Sequence, residues 1–196
     1  MKGIAVFASG SGSNFQAIVD ACESGKLHAK VNLLVCDRPG AKAIERADKH
    51  GIPTFVFKAK EYPDKEAFET EILKRLEEAK VEFIALAGYM RLIGQTLLSQ
   101  FEGKMVNIHP SLLPAFPGKD AIGQAIESGV SETGVTVHYV DNGMDTGPII
   151  EQSSVPIDAG DTAEILQQKI HKIEHELYPK VIQNILHTST EKGEFA

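Results

Sequence analysis

Short apolar runs alternate with longer amphipathic stretches through the first half of the chain, and this alternation restricts the fold more than any other feature. Ile4–Ala8, Val31–Cys36, Thr54–Phe57 and Phe83–Ala87 read as strands, the last apolar throughout. A strand buried on both faces needs such a run, because neither side of its pleat meets water. Between these runs lie three helical stretches, Ser13–Glu23, Ala41–His50 and Asp64–Ala79. Phe15, Ile18, Val19 and Cys22 recur at i, i+3, i+4 and i+7, which places them on one helical face. Phe68, Ile72, Leu73 and Leu76 make a similar face in the third stretch, which opens on Asp64. Strand–helix–strand repeats imply parallel pairing through right-handed crossovers, hence an α/β fold with a mostly parallel central sheet flanked by helices. In such sheets ligands sit outside the carboxyl ends of the strands.

The pattern then changes. Met105–His109 reads as a strand running into a proline-rich loop, Pro110–Gly118, followed by a short helix, Ala121–Ser128. Gly134–Val140 and Pro148–Val155 read as further strands, and Ala163–Leu186 as a long helix with Asp161 or Thr162 as its N-cap. Pro179 is a candidate kink, and the polar segment Thr188–Ala196 is expected to fray. No repeat, linker or low-complexity block interrupts the sequence, so one domain over residues 1–196 is expected.

Composition excludes several classes of function. No apolar run reaches the ~20 residues that span a bilayer, so no membrane association is expected. The apolar stretch Ile4–Ala8 is shorter than the roughly 7–15 residues of a signal-peptide core, so a cytoplasmic protein is expected. A net charge of −7 argues against a nucleic-acid partner, which demands clustered Lys and Arg. Cys22 and Cys36 form no CxxC pair or zinc set and read as two buried thiols.

Three segments carry chemistry. Gly10-Ser11-Gly12-Ser13-Asn14 lies between the first strand and the first helix, where free amides attract an anion. Phe15 stands where a dinucleotide fingerprint has its third glycine, and no Lys follows as in a Walker loop. The segment is a candidate phosphate site, or else a tight turn without a ligand. In Val106-Asn107-Ile108-His109-Pro110, Asn107 and His109 are two residues apart and share one face of a strand end. An amide donor beside an imidazole suits oxyanion stabilisation and proton movement, although a loop carbonyl could equally satisfy such a His. Gly143-Met144-Asp145-Thr146-Gly147-Pro148 supplies one carboxylate in a glycine-flanked loop. Close to His109 it would favour the charged imidazole, but by itself the segment reads as a turn.

The GSGSN loop, Gly88-Tyr89-Met90-Arg91, the NIHPSLLPAFPG segment and MDTGPII stand in the order and spacing of the phosphoribosylglycinamide formyltransferase family, which the chain resembles from Met1 to about Leu186. The resemblance implies a Rossmann-like formyltransferase domain without a nicotinamide cofactor or a metal. It implies 10-formyltetrahydrofolate as co-substrate and glycinamide ribonucleotide as formyl acceptor in purine synthesis, with direct attack of the amine through a tetrahedral intermediate. It assigns Asn107, His109 and Asp145 as the catalytic set. Gly12, Ser13, Asn14 and Glu174 fall to the ribonucleotide, and Met90, Arg91, Leu92, Ile93 and Asn107 to the folate, largely through backbone contacts with the pterin. Lys65 stands where some members place an Arg against the folate's glutamate tail, keeping the charge without the bidentate fork. Lys119-Asp120-Ala121-Ile122 departs from relatives that carry histidines there. A monomer or homodimer is expected.

Methionyl-tRNA formyltransferase needs a further RNA-binding domain, and formyltetrahydrofolate hydrolase usually has a regulatory domain ahead of the glycine loop; neither fits the length and charge of this chain. Sugar-nucleotide formyltransferases share the triad, and a non-catalytic nucleotide-binding module would leave the triad unassembled. His171 and His175 have a metal-compatible spacing but lack the rest of a zinc motif. His138 either packs or lies near the site, as does Tyr89, while His28, His50 and His187 read as surface residues. The charge-rich stretch Glu61–Glu82 reads as a solvated helix face.

Overall fold

The computed structural model describes residues 1–192, with side chains through residue 188. Strands β1 (Lys2–Ala8), β2 (Ala29–Cys36), β3 (Thr54–Val56), β4 (Phe83–Leu86), β5 (Met105–His109), β6 (Glu132–Tyr139) and β7 (Ile149–Pro156) form one sheet in the order β3-β2-β1-β4-β5-β6-β7. The pairings from β3 to β5 are parallel; β6 pairs antiparallel with β5 and with β7. The helices are α1 (Ser13–Glu23), α2 (Lys42–Lys49), α3 (Lys65–Glu78), α4 (Gln95–Phe101), α5 (Ala121–Ser128) and α6 (Ala163–Lys192), with a 3₁₀ turn at Ala59–Glu61. This is the α/β, mostly parallel architecture that the alternation implies.

Side chains alternate between the two faces of each strand, so one strand feeds two cores. Ile4, Val6 and Ala8 of β1 pack with Phe15 and Ile18 of α1 and with Tyr178, Val181 and Ile182 of α6. Ala5 and Phe7 turn the other way, toward Phe68, Ile72 and Leu76 of α3 and Leu97 of α4. Asp64 caps α3 by accepting the Ala67 amide at 2.8 Å, and Thr162 accepts the Ile165 amide at the start of α6.

Three features differ from expectation. Helix α4 is too short to show a full amphipathic period, and only Leu97, Leu98 and Phe101 hint at it. Glu69 does not belong to a solvated face: it is 2% exposed, because it shares the inward stripe of α3 with Ile72 and Leu76. Helix α6 runs through Pro179 and on to Lys192, past the expected end near Leu186. After Pro179 no glycine or proline interrupts it until Gly193, and each added residue forms a backbone bond on an existing helix. The part of the expected frayed tail at 193–196 lies outside the described residues. Among the described residues, no helix is long and apolar enough to cross a membrane.

Helix α6 is fastened to the sheet by the fully buried Tyr178, whose hydroxyl lies 2.7 Å from the Leu86 carbonyl and 3.1 Å from that of Val106. Tyr178→Phe removes this donor while keeping the ring. It should lower unfolding free energy by roughly 1–2 kcal/mol in urea denaturation, with little change in the dependence on urea.

Candidate active site

The sheet order reverses at β1, since β2 and β3 extend to one side of it and β4 and β5 to the other. Loops leaving β1 and β4 must therefore diverge, and a crevice opens at their carboxyl ends. A cavity of about 790 Å³ lies here, lined by residues that include the glycine loop, Met90–Ile93, Asn107, His109, Asp145 and Glu174. That volume falls in the range of small-molecule sites.

One end is built on the glycine loop. Gly12 caps α1 with φ of 71°, and a Cβ there would lie 2.7 Å from the Ala43 Cα, so the loop can press against α2 only with glycine. Arg46 holds the loop from behind, donating from Nε to the Ser11 carbonyl at 2.9 Å. Helix α1 has no side-chain cap, which leaves its first-turn amides for an anion on the cavity side. Asn14 Nδ2 donates to Glu174 Oε2 at 3.0 Å, while the buried Asn14 Oδ1 has no partner.

The other end gathers the polar groups of β5, β6 and the loop after β6. Asn107 and His109 leave β5 on one face, and the antiparallel register sets His138 opposite Asn107. Asp145, with φ of 56°, turns its carboxylate into this group. Oδ2 accepts the Gly118 amide at 2.8 Å and lies 3.5 Å from His109 Nδ1. Oδ1 lies 3.5 Å from Asn107 Nδ2 and 3.8 Å from His138 Nε2. At the far side of the His109 ring, Nε2 donates to the Phe116 carbonyl at 2.8 Å. Both ring nitrogens thus face oxygen atoms. Burial pushes the Asp145 carboxyl up, but His138, the Gly118 amide and the charge of His109 outweigh it and hold the group below its usual range.

The formyl transferase family model matches residues 2–182. The chain belongs to the formyl transferase family. Phosphoribosylglycinamide formyltransferase of Bacillus subtilis (strain 168) is 59% identical over 186 residues, 95% of each chain. The crystal structure of glycinamide ribonucleotide transformylase 1 from Geobacillus kaustophilus superposes with a TM-score of 0.92 at 68% identity, covering 95% of this chain and 99% of that one. The human trifunctional purine biosynthetic protein adenosine-3 is 37% identical over 191 residues, which are 97% of this chain and 19% of that protein. The Rossmann-like fold expected from the resemblance is the one these formyl transferases share.

In this formyl transferase domain most of the expected site residues line one cavity: Gly12, Ser13, Asn14, Met90, Arg91, Leu92, Ile93, Asn107, His109, Asp145 and Glu174. Lys65 is not among them; its Cε lies beside Gly94, the residue after Ile93. Lys119, Asp120, Ala121 and Ile122 do line the cavity, as do Tyr89 and His138. Sequence reading passed over Arg38, Gln167 and His171 as cavity residues. Arg38 could have been found from its place just past β2, at the carboxyl edge where such sheets build sites. His171 and His175 stack with ring centroids 5.8 Å apart. Among the described residues no group of three or more His, Cys, Asp or Glu could hold a metal ion. His50 is half-buried rather than a surface residue, because Glu23 at 2.7 Å and Gln16 at 2.8 Å draw its ring against α1.

Glu174 is 5% exposed, and burial pushes its carboxyl up to about 7 against the opposing pull of the Asn14 amide. The folded state then holds a proton that the unfolded chain has released, so stability is lost as pH rises from about 4.5 to about 7. Glu174→Gln should remove that loss. In urea unfolding at pH 8 the variant should exceed the parent by up to ~3 kcal/mol, with the advantage vanishing near pH 4.

Proposed function

We propose that this chain transfers the formyl group of 10-formyltetrahydrofolate to the amine of 5-phosphoribosylglycinamide, a step of de novo purine biosynthesis. The convergence of Asn107, His109 and Asp145 on one cavity wall, opposite the open amides of α1, carries this reading. The names of the relatives agree with it. In the same reading residues 1–196 act as one domain in the cytoplasm, as a monomer or homodimer, on small molecules rather than nucleic acid or membrane.

Each end of the cavity has its task. Amides of Gly12, Ser13 and Asn14 hold the substrate phosphate, with Glu174 on the ribose side. Backbone groups of Met90–Ile93 hold the pterin, and Lys65, beside Gly94, meets the folate's glutamate tail. The exposed side chains of Met90, Leu92 and Met144 give the mouth an apolar lip for the rest of the folate.

The reaction is acyl transfer. The amine lone pair attacks the formyl carbon, and the carbonyl electrons move to oxygen. Asn107 donates to that oxygen, and the His109 ring beside it stabilises the negative charge that develops there. Asp145 keeps its charge at neutral pH and lies beside His109, where its carboxylate orients the ring. When the bond from carbon to the folate N10 breaks, the proton lost by the attacking amine passes through Asp145 and water to N10. The products are the formylated amide and tetrahydrofolate.

Absorbance of released tetrahydrofolate provides the test. Release should require both 10-formyltetrahydrofolate and glycinamide ribonucleotide; activity with a sugar-nucleotide amine in place of the latter would overturn the choice of acceptor. Asn107→Ala and Asp145→Ala should each lower kcat by ~10²–10³ with substrate binding retained. Near-full activity in either variant would overturn the assignment of that residue.

A further inference from the structure

The segment from Gly88 to Gly94 contributes Met90–Ile93 to the cavity wall but belongs to no strand or helix. It therefore lacks the ladder bonds that would hold its backbone in one shape. Two buried carboxylates outside the cavity wall supply anchors instead. Asp37, at the end of β2, accepts a hydrogen bond from the Ser9 hydroxyl through Oδ1 and pairs through Oδ2 with Arg91 Nε at 2.8 Å. The same Ser9 oxygen accepts the Met90 amide at 2.9 Å, so the hydroxyl both donates and accepts. The Ser9 amide in turn donates to the Gly88 carbonyl at 3.1 Å. At the far end, Glu69 of α3 accepts the Gly94 amide at 2.6 Å. Its carboxylate lies so close that a Cβ on Gly94 would fall 2.6 Å from Oε2. The Arg91 guanidinium also sits over the Phe68 ring, 5.7 Å from its centre, one residue from Glu69.

We propose that Asp37, through Ser9, and Glu69 are positioning residues that hold segment 88–94 in the shape that receives the folate co-substrate. The inference rests on the function proposed above and adds residues that touch neither substrate. A segment released from its anchors spends only part of its time in the receptive shape, and apparent affinity falls by that fraction. The anchors bond to segment 88–94 and not to the amides of Gly12–Asn14 or to Glu174, so the folate constants should respond and the ribonucleotide constants should not.

Three variants test this: Asp37→Asn, Ser9→Ala and Glu69→Gln. Steady-state kinetics would be combined with calorimetric titration by tetrahydrofolate and, separately, by glycinamide ribonucleotide. KM for 10-formyltetrahydrofolate and Kd for tetrahydrofolate should rise roughly tenfold or more. The ribonucleotide constants, and kcat at saturating folate, should stay within about twofold, a split that general loosening of the fold would not produce. Ser9→Ala deletes a single oxygen and decides the matter if a carboxylate variant fails to fold. Unchanged folate constants in Ser9→Ala, or equal losses for both substrates, overturn the anchoring while leaving the functional reading intact. Parent protein that turns over neither substrate overturns both.

Discussion

Because β2 and β3 lie on one side of β1 while β4 and β5 lie on the other, the loops after β1 and β4 cannot cross above the sheet. They part, and the residues of the candidate site are arranged in the gap between them. The loop after β1 becomes the start of α1, with its amides facing the gap. The segment after β4 forms the opposite lip. The end of β5 supplies Asn107 and His109 to the floor, and the hairpin of β6 and β7 returns antiparallel so that His138 and Asp145 close one side. A change in strand order would dismantle the site even if every side chain were kept.

Burial and polarity compete within that gap. Asp145 gives up water but gains a backbone amide, an imidazole on each oxygen and the Asn107 amide nearby. Those contacts keep it ionised in spite of desolvation. The acidic balance of the chain, −7 overall, is compatible with the anion-binding end proposed for the glycine loop, because fixed amides act at short range. Charges farther than about 10 Å are largely screened by physiological salt.

Legibility in the sequence followed the distance over which each feature is decided. Helix α1 appears with the bounds expected, Ser13–Glu23, because its apolar spacing and the glycine turn before it are local. Asn107 and His109 were readable as a pair because a period of two residues is a property of any strand. Asp145 was not, since its contacts with Gly118, His109 and Asn107 lie across 27 to 38 residues of chain, and only family resemblance suggested it. Asp37 and Arg91 meet over 54 residues, with nothing local in either to announce a buried pair. Glu69 left one readable trace: it follows Phe68 and precedes Ile72 and Leu76 at inward helical spacing. In a stretch so rich in exposed acids that trace was masked.

The two carboxylates in the cavity are driven apart by their surroundings. Asp145 has donors around it and stays charged; Glu174 is enclosed by α6 and α1 with one amide donor, and its carboxyl is pushed up to about 7. Such separation lets a single cavity present a fixed negative charge at one end and a protonatable group at the other. At the imidazole end the fixed charge is needed, because it balances the cation that polarises the formyl group in the proposed reaction. At the glycine-loop end a permanent carboxylate would repel a phosphate, whereas a group able to take a proton can offer a hydrogen bond to a hydroxyl instead. The division follows from the number of donors each loop places within reach, and that number is set by the strand order.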